Sequence, residues 1–312
     1  MCLRGVYLTR MATMPFAWRA RCDWKLRTRS LPLGERTVLM GVLNTTPDSF
    51  SDGGVFDSPA AAIEHGLQML EDGADIVDIG GESTRPGKHK PVGIREELDR
   101  VLPVIKGILR HRPEAILSID TYKSQTAAVA LQAGAEIVND VSGFLWDEAM
   151  AGVCAAARCG VVLMHTRGRP EEWHGLPPLE PNQVVPHVRQ ALQQRLDVAL
   201  NVGIDAAQIV LDPGFGFGII ADQNYSLLAG LDELTTLGQP LLAGVSRKGF
   251  LGKTLSRLYN GKDVPVDRRG SASLAAVTAT ILAGAHLVRV HDVRGSREAA
   301  AIADAILAES RV

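Results

Sequence analysis

The chain is expected to be an α/β protein built as a (β/α)8 TIM barrel, a single barrel domain over residues 37–312 behind a short N-terminal extension, residues 1–36. Three observations predict this. Beyond residue 37, short apolar runs alternate with amphipathic stretches eight times over. Each run is nearly unbroken in apolar residues, the pattern of a parallel strand covered on both faces. Eight such units in residues 37–312 suit a closed barrel better than an open sheet.

The first strand is residues 38–43, ending where Asn44 opens a polar, turn-rich loop through Gly54. Ser58 then reads as a helix cap with Pro59 at the first helical position, and Ile63, Leu67 and Leu70 form one apolar face. Residues 76–80 are strand two, followed by a helix over 93–112 in which Glu96 precedes Arg100 by four. Strands three and four are 116–120 and 137–140, with helices over 123–133 and 147–158. Strand five, 161–164, leads through a polar, proline-rich connection to a helix over 183–202. Strand six is 209–212, with a helix over 224–237; strand seven is 241–245, with helical stretches from 248 and over 271–282. Strand eight, 287–290, and a helix over 297–309 complete the pattern.

An internal echo supports the repeat. GADIVDIG, GAEIVNDV and GAHLVRVH begin at Gly73, Gly134 and Gly284. In each a helix ends at glycine, a strand follows, and the sixth place is polar: Asp78, Asn139 and Arg289. Polar groups inside apolar strands are costly without partners. Three at matched depth suggest that they line one cavity; an ion pair between Asp78 and Arg289 is the structural alternative.

With 46% hydrophobic and 22% charged residues the composition is that of a globular protein, and a net charge of −2 offers no basic field for nucleic acid. No apolar run is long enough to span a membrane. Cys2, Cys22, Cys154 and Cys159 lack a zinc-site spacing and do not suggest a disulfide framework, which points to a reducing, cytoplasmic compartment. The first thirty residues hold seven arginines and lysines against Asp23 alone. An organelle transit peptide has that bias. A start at Met11 or Met14, or a capping segment with a turn over 31–37, explains it without the serine-rich amphipathic helix that is missing here.

Active sites on this barrel lie at the C-terminal ends of the strands. Those ends carry Asn44, Asp78, Asp120, Asn139 with Asp140, His165, Asp212, the Ser246-Arg247-Lys248 turn, Arg289 and His291. Any one could cap a helix or face solvent; together they point to a site. Asp120, Asn139, Asp212 and Lys248 offer acceptors and a donor for a flat heterocycle with ring N–H, amino and carbonyl groups. Paired carboxylates also suit metals, but the histidines are too scattered to complete such a centre. Asn44, Thr84, Arg85, Arg289 and His291 favour an anion such as a phosphate or diphosphate. Asn44 could be the sole protein ligand of Mg²⁺, which keeps waters and leans on substrate phosphates. The DPGFGFG segment, residues 212–218, is neither GxGxxG nor a P-loop; it gives backbone room for a planar ligand beside Phe217.

In order along the chain, LNTTPDSFSDGG, DIGGESTRPG, SIDTYK, IVNDVSG, LMHTRG, LDPGFGFG, GVSRKGFLG and RVHDV resemble the dihydropteroate synthase family over nearly the whole barrel. The resemblance implies a pterin-binding barrel, usually a homodimer. It implies condensation of 6-hydroxymethyl-7,8-dihydropterin diphosphate with 4-aminobenzoate in folate biosynthesis. It also implies roles: Asp120, Asn139, Asp212 and Lys248 hold the pterin, Thr84, Arg85, Arg289 and His291 hold the diphosphate, and Asn44 ligates Mg²⁺. Asp52 closes over the site, and with Asp120, Lys248 and Arg289 forms the catalytic set. Phe217 and Pro86, with residues 246–248, border the aminobenzoate pocket.

The chain departs from the family pattern at Ile219, where lysine is usual, at Gly249, where serine is usual, and in reading Thr121-Tyr122-Lys123 for TSK. A methyltetrahydrofolate methyltransferase shares pterin-reading acids but binds no diphosphate. A non-catalytic pterin-binding paralogue is the other alternative, with Ile219 and Gly249 as its support.

Overall fold

The structure, a computed structural model, describes residues 16–17, 19–45, 58–83 and 91–310. The expected roles of Asp52, Thr84, Arg85 and Pro86 fall outside the described residues.

Eight strands form one parallel sheet: β3 (Val38–Asn44), β4 (Ile76–Gly80), β5 (Ile116–Asp120), β6 (Ile137–Asp140), β7 (Gly160–Met164), β8 (Ile209–Asp212), β9 (Leu242–Ala243) and β10 (Leu287–Val290). The strand order is β8-β7-β6-β5-β4-β3-β10-β9. A parallel bridge between Leu211 and Leu241, with Leu211 N–H donating to Pro240 O at 2.9 Å, brings the two ends together into a barrel. The expected (β/α)8 architecture is therefore present. β9 is shorter than the expected 241–245.

Strand alternation divides the interior in two. Residues of one parity, including Leu39, Val77, Leu117, Val138, Val161 and Leu211, pack outward against the helices. Those of the other, Val38, Met40, Ile76, Ile137, Val162, Val210, Leu242 and Leu287, fill the lower barrel. Continuing that second parity upward reaches Asn44, Asp78, Asp120, Asn139, Asp212, Arg289 and His291. The barrel is thus apolar at its N-terminal end and polar at its mouth.

The lower end is sealed by residues upstream. β1 (Cys22–Lys25) and β2 (Ser30–Leu33) form an antiparallel hairpin whose Trp24, Leu26 and Leu33 join the lower core. Trp24 Nε1 donates to Gln208 O at 2.8 Å. The expected turn over 31–37 starts later, because Leu31–Leu33 pair with Cys22–Trp24. The arginines here are anchors. Arg19 pairs with Asp304 at 2.6 Å, Arg27 Nε donates to Ala135 O at 3.1 Å, and Arg29 Nη1 to Glu114 O at 2.8 Å.

The helices are α1 (Pro59–Glu71), α2 (Ile94–His111), α3 (Ser124–Gln132), α4 (Met150–Ala157), α5 (Pro181–Asn201), α6 (Gln223–Ala229), α7 (Gly249–Ser256), α8 (Gly270–Leu282) and α9 (Val293–Glu309). Three expectations need correction. Ser58 precedes α1 without a side-chain capping bond. The helix expected over 224–237 breaks at Gly230 into α6 and a 3₁₀ helix, Leu231–Leu237. α9 begins four residues early, because Asp292 caps it by accepting from Gly295 N–H at 3.0 Å. The Glu96–Arg100 pair forms as the spacing predicts.

Candidate active site at the barrel mouth

The internal echo has a direct structural meaning. Gly73, Gly134 and Gly284 have φ of 100°, 115° and 102°, a left-handed conformation that lets the chain leave a helix and enter a strand. The sixth residue of each repeat then points inward, and the three meet at one atom. Asp78 Oδ2 accepts from Arg289 Nε at 2.6 Å and from Asn139 Nδ2 at 2.9 Å. Asp78 is fully buried, and its Oδ1 has no partner among the described residues. The ion pair forms, and Arg289 and Asn139 line the central pocket, but Asp78 does not: it is buried beneath them and reaches the pocket only through these two partners.

Arg289 Nη2 reaches Asp120 at 2.6 Å. Burial works against the charged guanidinium, but Asp78 and Asp120 outweigh it and push the Arg289 pKa up. Burial pushes the Asp120 carboxyl up to about 7, with Arg289 pulling the other way. Burial likewise raises Asp212 to about 6, opposed by the Gly214 N–H and Lys248. Lys248 is pulled down to about 8 by burial, against the attraction of Asp212. A low-dielectric pocket thus holds two carboxyls and an ammonium close to their titration points near neutrality.

Asp120, Asn139, Asp212, Phe217, Lys248, Arg289 and His291 all line this one pocket. Lys248 Nζ sits 4.1 Å from the Phe217 ring centroid, a cation–π contact at the rim. His291 Nδ1 lies 3.1 Å from Ser246 Oγ, tying the end of β10 to the turn after β9. The free volume among these groups is about 40 Å³, room for a few waters. Asn44 ends β3 opposite Gly80, half-buried at the rim.

The 212–218 turn shapes one wall. Asp212 Oδ1 accepts from Gly214 N–H at 2.8 Å. Gly214 has φ 72°, and a Cβ there would lie 1.9 Å from His165 O, so only glycine fits. Ile219, the departure after this turn, is buried between barrel and helices rather than in the pocket.

Two polar strand ends do not join the site. Asp140 faces the outer layer, where its carboxylate accepts from Ser142 N–H at 2.8 Å and Phe144 N–H at 2.9 Å. His165 turns toward Pro213 O, 3.1 Å away, and away from the pocket. Conversely, sequence reasoning left Asp78 out of the binding set. Its signal was the echo, which placed it level with Asn139 and Arg289.

The pterin binding enzyme family model matches residues 40–291. A dihydropteroate synthase of Synechocystis sp. is 43% identical over 273 residues, covering 88% of this chain and 91% of its own. The Xanthomonas albilineans dihydropteroate synthase solved with 4-aminobenzoic acid superposes with a TM-score of 0.81 at 39% identity, over 92% of this chain and 99% of its own. The same enzyme in complex with 7,8-dihydropteroate gives 0.78 and 37% over the same shares. A barrel with this polar mouth, matched over nearly its full length, leaves one assignment: the chain belongs to the pterin binding enzymes and, among them, to the dihydropteroate synthase family.

Proposed function

We propose that this chain condenses 6-hydroxymethyl-7,8-dihydropterin diphosphate with 4-aminobenzoate, giving 7,8-dihydropteroate and diphosphate for folate biosynthesis. The observation that carries the reading is the convergence of Asp120, Asn139, Asp212, Lys248 and Arg289 on one pocket. A related barrel binds 7,8-dihydropteroate and 4-aminobenzoic acid.

The carboxyls of Asp120 and Asp212 accept from the pterin ring N–H and amino groups, and Asn139 and Lys248 complete its polar edge. The aryl amine is neutral and nucleophilic at neutral pH, so the step needs no strong base. Its difficulty is departure of diphosphate while positive charge grows on the pterin methylene. The buried carboxylates stabilise that charge. Arg289 and His291, with Thr84 and Arg85, receive the leaving group. Phe217 and the turn through Lys248 border the aminobenzoate ring, and the role the resemblance implies for Asp52 belongs to the same reaction.

Asn44 offers a single amide oxygen, and among the described residues no cluster of three His, Cys, Asp or Glu could cage a metal. That donor set fits Mg²⁺ held mainly by waters and substrate phosphates. When bound, Mg²⁺ supplies charge neutralisation on the diphosphate. Residues 37–312 act as the catalytic domain with residues 1–36 as an extension, in a cytoplasmic homodimer. Among the described residues no helix is long and apolar enough to cross a membrane.

Mixing the purified chain with both substrates and Mg²⁺ tests the reading by mass spectrometry. Appearance of 7,8-dihydropteroate is expected; recovery of unreacted substrates alone would overturn it.

A further inference from the structure

A second cavity, of about 330 Å³, lies outside the barrel between the loop after β7, α5 and Leu145. It shares only Met164 with the central pocket. His187, Ala191, Gln194 and Arg195 reach it from one face of α5, as their spacing of four, three and one dictates. His165 and Arg167 come from the loop. The apolar part of the wall includes Leu145 and Leu176, with Leu145 half exposed at the rim.

The electrostatics are one-sided. Arg167 and Arg195 supply the charge, His165 and His187 are held toward their neutral forms, and no carboxylate lines the cavity. Burial lowers the pKa of Arg195, and burial with Arg167 as neighbour lowers that of His187. The two arginines differ in what they hold. Arg167 already donates from Nη1 to Gly218 O at 3.2 Å and from Nη2 to Pro177 O at 3.0 Å. Arg195 packs its stem against Gly143 and has no hydrogen bond or ion pair among the described residues.

His165 lines the cavity without offering it a hydrogen bond. Its Nδ1 faces the Pro213 carbonyl, which can only accept, so the proton sits on Nδ1. Its Nε2 has essentially no accessible surface, on a residue 2% exposed, and burial with the neighbouring His187 drops the ring to about 3, keeping it neutral. A guanidinium without a counter-charge beside an apolar wall suits an anion that carries an apolar body. One unpaired guanidinium beside apolar wall suits a carboxylate with an apolar body better than a free phosphate.

We propose that this cavity is a second small-molecule site, taking a small carboxylic acid with an apolar body. The carboxylate pairs with Arg195, and the apolar body lies against Leu145 and Leu176.

Calorimetric titration of the full chain with 4-hydroxybenzoate tests this, using wild type, Arg195→Gln, Arg195→Lys and Lys248→Ala. Binding is expected in wild type and Lys248→Ala. It should weaken about tenfold or more in Arg195→Gln, the loss of a charge-assisted pair, and less in Arg195→Lys. Circular dichroism and melting check that each variant folds, and Arg195→Lys carries the test if the glutamine variant does not. Equal binding to wild type and both Arg195 variants, loss only in Lys248→Ala, or no binding in the millimolar range would overturn the assignment.

Discussion

Asp78 and Arg289 are joined at 2.6 Å deep in the barrel, one fully buried and the other reaching on to Asp120. The same guanidinium therefore holds the fold together and faces the reaction. Arg289→Ala is expected to lose at least about a hundredfold in kcat/KM, near 3 kcal/mol of transition-state stabilisation. It should also destabilise the chain by about 3 kcal/mol, because Asp78 is left buried and unpaired. Adding Asp78→Asn to Arg289→Met should recover much of the stability and none of the activity. Urea unfolding beside turnover checks both; equal stability of the alanine and double variants would break the proposed coupling.

The raised carboxyls set a pH dependence. A pterin that donates to Asp212 needs it ionised, so affinity should rise from pH 5 and level off above the titrations of Asp212 near 6 and Asp120 near 7. Stability runs the other way. A carboxyl whose folded pKa is raised stabilises below its unfolded value, and that contribution is lost as pH rises through the folded one. Asp212→Asn should remove the affinity step near 6, keep the one near 7, and compare better with wild type in ligand-free melts at pH 8 than at pH 4.

Trp24 tests the lower seal. It is 1% exposed and hydrogen-bonded to Gln208. Trp24→Ala should cost about 3–5 kcal/mol, read as a lower unfolding midpoint, while KM for both substrates stays unchanged. A changed KM with unchanged stability would assign the hairpin to the site instead.

Much of this was legible in the sequence, for a physical reason. Parallel strands buried on both faces must be nearly all apolar, so Ile76–Gly80, Ile116–Asp120, Ile137–Asp140 and Ile209–Asp212 stand out with their exact bounds. The hairpin was not legible. β1 reads Cys-Asp-Trp-Lys and β2 contains Pro32, and both gain their stability from residues far along the chain. The acceptors for Arg27 and Arg29 lie 108 and 85 positions away, so locally these arginines look like a basic leader. His165 and Asp140 stood among the polar strand ends because a strand end predicts position but not which way a side chain turns. The echo named both Asp78 and its partner Arg289, but not that Asp78 would sit fully buried beneath the pocket and reach it only through Arg289 and Asn139.

Gly249, where the family resemblance leads serine to be expected, is the first residue of α7. A Cβ there meets nothing within 4 Å, so a serine fits. Gly249→Ser is expected to lower KM for 4-aminobenzoate about two- to tenfold, the worth of one added hydrogen bond, with KM for the pterin diphosphate unchanged. An unchanged aminobenzoate KM would remove this turn from the pocket.

Diphosphate release by the purified chain, with pterin diphosphate and Mg²⁺ and with or without 4-aminobenzoate, reports the condensation itself. One diphosphate per 7,8-dihydropteroate is expected, only when aminobenzoate is present, and almost none in Arg289→Ala. Tight pterin binding with no release, or release that ignores aminobenzoate, would contradict it.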